Sequence, residues 1–135
     1  MKHLFELTEP KELASVLDAL TSAVSEGTES KDLAGEMRLI AEEVLTNVLK
    51  YAYPVSGPRG AKVALSVDTK EVCLEIRDQG WPFDPLAQPP PKLDAPIEER
   101  EEGGLGIHLI KSLADGAAYA REGETNVLRI TKRRL

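Results

Sequence analysis

Glu43 and Asn47 lie four positions apart in the run Glu43-Val44-Leu45-Thr46-Asn47. On a helix that spacing stacks the two polar side chains one above the other, where they can jointly face a pocket between helix and sheet. A second candidate is Asp78-Gln79-Gly80-Trp81-Pro82-Phe83, directly after an alternating apolar segment. An Asp at a strand end presents a carboxylate, and Gly80 lets a flat ligand approach the backbone. Third is Gly103-Gly104-Leu105-Gly106 ahead of an apolar helical run. Unencumbered backbone N–H groups at the positive end of a helix dipole are suited to phosphate. Each candidate alone also has a plain reading: a solvated Glu beside a boundary Asn, an ordinary turn, and glycines placed for conformation only.

The elements that must position these residues follow from periodicity. Leu33, Met37, Ile40, Val44, Val48 and Ala52 recur at steps of three and four between Ser30 and Tyr53. That pattern predicts a long amphipathic helix with Ser30 as N-cap and Pro54 beyond its end. With Leu33 at zero, the apolar face spans about 340° through 160°, Asn47 falls near about 320° and Glu43 near about 280°, so both border the stripe. Earlier, Leu4, Phe5 and Leu7 form a short strand that stops at Thr8-Glu9-Pro10, where Thr8 or Glu9 caps a first helix. Leu13, Val16, Leu17 and Leu20 on that helix are core residues or a protein-binding face.

Val63, Leu65 and Val67 alternate with polar or small residues, as do Val72, Leu74 and Ile76, predicting two antiparallel strands joined at Asp68-Thr69-Lys70. Six of the nine prolines fall between Trp81 and Pro96, which excludes a regular helix or central strand there and leaves a long loop. A short helix up to Asp115-Gly116 and a terminal hairpin turning at Glu122-Gly123-Glu124-Thr125-Asn126 complete the chain. The expected architecture is α+β: a two-layer sandwich with a mixed, mostly antiparallel sheet and helices on one face.

Composition narrows the function. The 135 residues suit one domain, 1–135, and a 41% hydrophobic, 30% charged balance is that of an ordinary globular chain. A net charge of -6 argues against direct nucleic-acid binding. No stretch has the length and apolarity of a membrane span, Cys73 has no second cysteine to pair with, and the N-terminus lacks the apolar region of a secretory signal. A cytoplasmic protein without membrane contact is expected.

In order and combination, the three motifs resemble the boxes of the Bergerat-fold, histidine-kinase-like ATP-binding family, which includes histidine-kinase catalytic domains, gyrase B and the anti-sigma-factor serine kinases. Glu43 to Asn47 is similar to the N box, Asp78 to Phe83 to the G1 box, and Gly103 to Lys111 to the G2 box. The Glu43–Tyr53 run and the Gly-Gly-Leu-Gly-Ile helix most resemble the anti-sigma serine kinase group. The resemblance implies ATP and Mg²⁺ as cofactors, Asn47 as metal ligand and Glu43 as general base toward a hydroxyl. It also implies that Asp78 accepts from the adenine amino group, with Gly80 giving the base room. Gly104, Leu105 and Gly106 would meet the phosphates under a lid at about 84–102, and Thr125 would support the adenine site.

Lys50, in Asn47-Val48-Leu49-Lys50-Tyr51, is similar to the lysine of histidine-kinase N boxes and would touch a phosphate, whereas Glu43 favours a serine kinase or ATPase. Arg100 either reaches the γ-phosphate with the lid or balances its neighbouring glutamates. Trp81 and Phe83 are expected at the base of the lid, Cys73 in the core, and His3 and His108 in structural or surface roles. The family implies an anti-sigma regulatory factor that is a homodimer, binds a sigma factor and phosphorylates an anti-sigma-factor antagonist on serine. Two alternatives remain: a noncatalytic nucleotide-dependent regulator, and a detached histidine-kinase catalytic domain.

Overall fold

Ser30 starts the longest helix as its sequence context requires: its Oγ accepts the N–H of Leu33 at 3.1 Å, satisfying one of the first-turn donors. The computed structural model describes residues 1–52, 60–87 and 110–134. Within them, α1 (Leu13–Thr28) and α2 (Lys31–Asn47) pack against a sheet of β1 (Lys2–Leu7), β2 (Ala61–Val67), β3 (Glu71–Asp78), β4 (Gly116–Glu122) and β5 (Thr125–Arg133). The strand order is β1-β2-β3-β5-β4, and all four described pairings are antiparallel. The expected two-layer sandwich therefore stands at the antiparallel limit of a mostly antiparallel sheet.

Cross-strand register places the apolar positions in rows beneath the helices. His3, Leu65, Leu74 and Ile130 form one row, and Phe5, Val63, Ile76 and Leu128 the next. Leu65, Leu74 and Ile130 are fully buried, and Met37, Ile40 and Leu45 of α2 meet the same core. From α1, Val16, Leu17 and Leu20 are buried as well, with Leu13 packed at the margin, so the first helix contributes core rather than a free apolar face. Arg38 straps the helices by donating from Nη1 to Asp18 Oδ1 at 2.9 Å and Thr21 Oγ1 at 3.1 Å.

Two local features depart from the simplest reading. The helix expected to run from Ser30 to Tyr53 is α-helical only to Asn47, and Val48–Ala52 form a wider π turn. The Val48 N–H is shared between the carbonyls of Leu45 and Val44 at this change. Pro54 follows in the sequence, and a proline supplies no N–H with which to continue a helix. Cys73, expected in the core, instead lies half-buried on the sheet face that no helix among the described residues covers, in the row with Ser66 and Thr131.

That uncovered face carries a charge ladder. Glu75 accepts from Arg77 Nε and Arg129 Nη2, each at 2.6 Å, and these guanidinium contacts, Arg129 foremost, hold its carboxyl below the usual range. No helix among the described residues is long and apolar enough to cross a membrane.

Candidate functional site

Glu43 and Asn47 lie on the last turn and a half of α2, with Val44 and Leu45 between them buried against the sheet. Both polar side chains are half-buried, consistent with the margin of the apolar stripe that their angular positions indicate. Asn47 Nδ2 donates to Glu43 Oε1 at 3.3 Å. The amide nitrogen is thereby turned to the carboxylate, which leaves the amide oxygen as the acceptor that a hard cation takes. Among the described residues no group of three or more His, Cys, Asp or Glu is placed to hold a metal ion. A single neutral oxygen ligand suits Mg²⁺, which fills most of its shell with phosphate oxygens and water. Lys50 is exposed on the π turn that follows Asn47.

Asp78 ends β3 on the helix-covered face, in the same alternation as Leu74 and Ile76. Its Oδ1 accepts from the Gly80 N–H at 2.9 Å, closing the turn, and from Asn126 Nδ2 at 3.0 Å. Gly80 is buried, and its carbonyl accepts from Arg121 Nη1 at 2.8 Å. Beyond it Trp81 and Phe83 are exposed, at 63% and 46%. Asp84 then caps a short 3-10 turn, Pro85–Ala87, by accepting the Leu86 N–H at 2.9 Å.

Asn126 was not singled out by the sequence, yet it is the buried polar residue among those described, 5% exposed. Its Nδ2 donates to Asp78 Oδ1 and to the Trp81 carbonyl at 2.7 Å. Its Oδ1 accepts from Tyr119 Oη at 2.5 Å and from the Phe83 N–H at 3.4 Å. All four hydrogen-bonding positions of the amide are filled. A signal was present: Asn126 shares the alternation of Leu128 and Ile130, so a polar side chain there faces the core and requires partners.

Thr125 is not brought to Asp78. The hairpin turn is shorter than expected, Gly123-Glu124 with φ 62° at Gly123, so Thr125 already pairs with Glu122 and Asn126 stands opposite Asp78. Alternation then directs Thr125 to the uncovered face. Gly104, Leu105 and Gly106, together with Arg100, His108 and the greater part of the expected lid, lie outside the described residues. Lys111 sits exposed on the helical stretch at 110–113.

The arrangement combines a carboxylate–amide pair at the end of one helix with a fixed carboxylate on the sheet face that the helices cover. Residues 7–132 match the family model of the histidine kinase-like ATPase domain. The chain belongs to this family. It is 28% identical over 95 residues to the serine/threonine-protein kinase BtrW of Bordetella bronchiseptica, covering 70% of this chain and 67% of that one. It is 30% identical over 99 residues to the serine-protein kinase RsbW of Halalkalibacterium halodurans, covering 72% of this chain and 60% of the relative. The domain thus spans only about three fifths to two thirds of the length of these relatives.

Among solved structures, the fold is shared with the histidine kinase domain of a blue-light activated histidine kinase from Erythrobacter litoralis. The TM-score is 0.55 at 19% identity, over 89% of this chain and 64% of that one. It is also shared with a chain of the SiaB–SiaC complex of Pseudomonas aeruginosa, at TM-score 0.58 and 15% identity, over 97% and 89%.

Proposed function

We propose that the domain binds ATP with Mg²⁺ and transfers the γ-phosphoryl group to a serine of a partner protein. The observation that carries this reading is the hydrogen-bonded Glu43–Asn47 pair, held half-buried at the end of α2 on the layer that covers the face of Asp78. The serine kinase names of the relatives support the choice of acceptor.

In this reading Asn47 offers its amide oxygen to Mg²⁺, which when bound supplies positive charge against the phosphate oxygens. Glu43, one turn away, takes the proton of the attacking serine hydroxyl as its oxygen bonds to the γ-phosphorus. The bond to the bridging oxygen breaks and ADP leaves. Asp78 accepts from the adenine amino group, and the buried Gly80 gives the ring room. Lys50, Gly104, Leu105 and Gly106 contact phosphates, and the segment at about 84–102 closes as a lid.

The partner reading follows the resemblance to the anti-sigma serine kinases: an anti-sigma-factor antagonist as phosphoacceptor, a sigma factor as the sequestered protein, and a homodimer as the working form. The structural neighbour found in a complex supports a protein partner in general. Residues 1–135 act as one domain, in the cytoplasm.

Calorimetric titration of ATP and GTP, with and without Mg²⁺, tests the site first. Metal-dependent binding that prefers ATP supports it; no binding at millimolar ATP overturns it. Transfer is then followed with labelled ATP and candidate antagonists encoded beside the gene. Acid-stable label on the partner supports serine, whereas acid-labile label would indicate a histidine acceptor.

A further inference from the structure

The Asp78 carboxylate is held asymmetrically. Its Oδ1 receives both the Gly80 N–H and Asn126 Nδ2, while no donor among the described residues reaches Oδ2. The same Asn126 amide binds the carbonyl of Trp81 and the N–H of Phe83, so one side chain fixes the carboxylate and the backbone on both sides of Pro82. Behind it stands Tyr119 of the edge strand, whose hydroxyl donates to Asn126 Oδ1. Arg121, two residues on, ties Gly80 to the same hairpin through Nη1 and also donates from Nε to the Gly123 carbonyl at 3.1 Å.

We propose that Asn126, oriented by Tyr119, is a positioning residue that sets base selectivity by anchoring Asp78 Oδ1 and leaving Oδ2 as the acceptor offered to a purine amino group. This rests on the reading of Asp78 as the base-reading carboxylate. An ionised carboxylate only accepts, so a fixed oxygen selects a base edge that donates, as the amino group of adenine does, and rejects the oxo group of guanine. The selectivity depends on orientation. A carboxylate free to rotate would turn its oxygens off the base edge and toward water.

Two variants of the full chain test it. Asn126→Asp is nearly the same shape and keeps an acceptor for Tyr119 and Phe83, but it replaces the donor to Asp78 and Trp81 with a carboxylate oxygen. That second acid repels Asp78 or shares a proton with it, and either outcome displaces the presented oxygen. Tyr119→Phe removes only the hydroxyl that orients Asn126. The readouts are the affinities for ATP and GTP, the apparent melting temperature, and the emission of Trp81, the single tryptophan.

The ATP-to-GTP affinity ratio is expected to fall about tenfold in Asn126→Asp and about two- to threefold in Tyr119→Phe, with a shift in Trp81 emission. A mere structural brace would weaken both nucleotides equally, in step with melting temperature, and leave the ratio unchanged. That result overturns the proposal. If Asn126→Asp does not fold, an unchanged ratio in Tyr119→Phe overturns it instead. A native protein that binds ATP without preference over GTP would overturn the underlying reading of Asp78, and this proposal with it.

Discussion

Asn47 donates its side-chain N–H to the Glu43 carboxylate across one turn of α2, Nδ2 to Oε1 at 3.3 Å. The contact orients the amide: with nitrogen toward Glu43, the oxygen is left for a cation. Changing Asn47 to Asp puts a second carboxylate against Glu43 and removes the donor between them. Asn47→Asp is expected to weaken Mg²⁺-dependent ATP binding about tenfold or more, while binding measured without the metal changes little. Calorimetry with and without Mg²⁺ checks both halves.

In the proposed transfer, Glu43 has a role separable from that of Asn47. Glu43→Gln keeps the shape and an acceptor for Asn47 but takes no proton at neutral pH. Phosphoryl transfer to the partner serine is expected to fall by about two to four orders of magnitude, the usual range for a lost general base, with ATP affinity within a few-fold of native. Single-turnover transfer measured beside equilibrium binding distinguishes this from a lost binding residue. Equal losses in both would refute the assignment.

The end of α1 stores backbone strain that a single substitution relieves. Glu29 follows Thr28 in the left-handed region, φ 57° and ψ 25°, with its N–H on the Ser25 carbonyl at 2.8 Å. A side chain is unfavourable there and glycine is the usual occupant. Glu29 is exposed, so little packing is lost on truncation. Glu29→Gly is expected to raise stability by about 1 kcal/mol in chemical denaturation, offset in part by the added freedom of the unfolded chain.

Acid stability depends on the uncovered face. Contacts from Arg129 and Arg77 depress the Glu75 carboxyl in the folded state. The unfolded chain therefore takes up its proton first as pH falls. The stabilisation is fully present above the ordinary carboxylate pKa, near about 4, and is lost as pH falls through the lower folded value. Arg129 and Arg77 are 59% and 42% exposed, so solvent screening limits the contribution to about 1 kcal/mol or less. Glu75→Gln should destabilise slightly at neutral pH and flatten the stability–pH curve on the acid side. Denaturation midpoints at a series of pH values check it, and a parallel curve with undiminished slope would refute it.

Much of the local structure was legible because it depends on neighbours in sequence. Ser30 capping Leu33 and the three-and-four spacing of Leu33, Met37, Ile40 and Val44 define α2 without reference to the rest of the chain. Alternation of Val63, Leu65 and Val67 against Val72, Leu74 and Ile76 likewise defines β2 and β3, including which faces are buried. The stacking of Glu43 and Asn47 belongs with these, since a four-residue step on a helix brings them together whatever packs around them.

The sequence by itself thus determined the order of elements, the apolar faces of α2, β2 and β3, and the two polar residues at the end of α2, because helix and strand periods are local. Only the tertiary structure decided that β5 inserts between β3 and β4, and with it that Asn126 meets Asp78 and Arg121 meets Gly80. These partners are far apart in the chain, and no periodicity encodes their meeting. That Asn126, rather than Thr125, stands opposite Asp78 was decided there as well. A hairpin turn shortened to Gly123-Glu124 sets the register, and in a sheet a one-residue step exchanges the covered face for the open one.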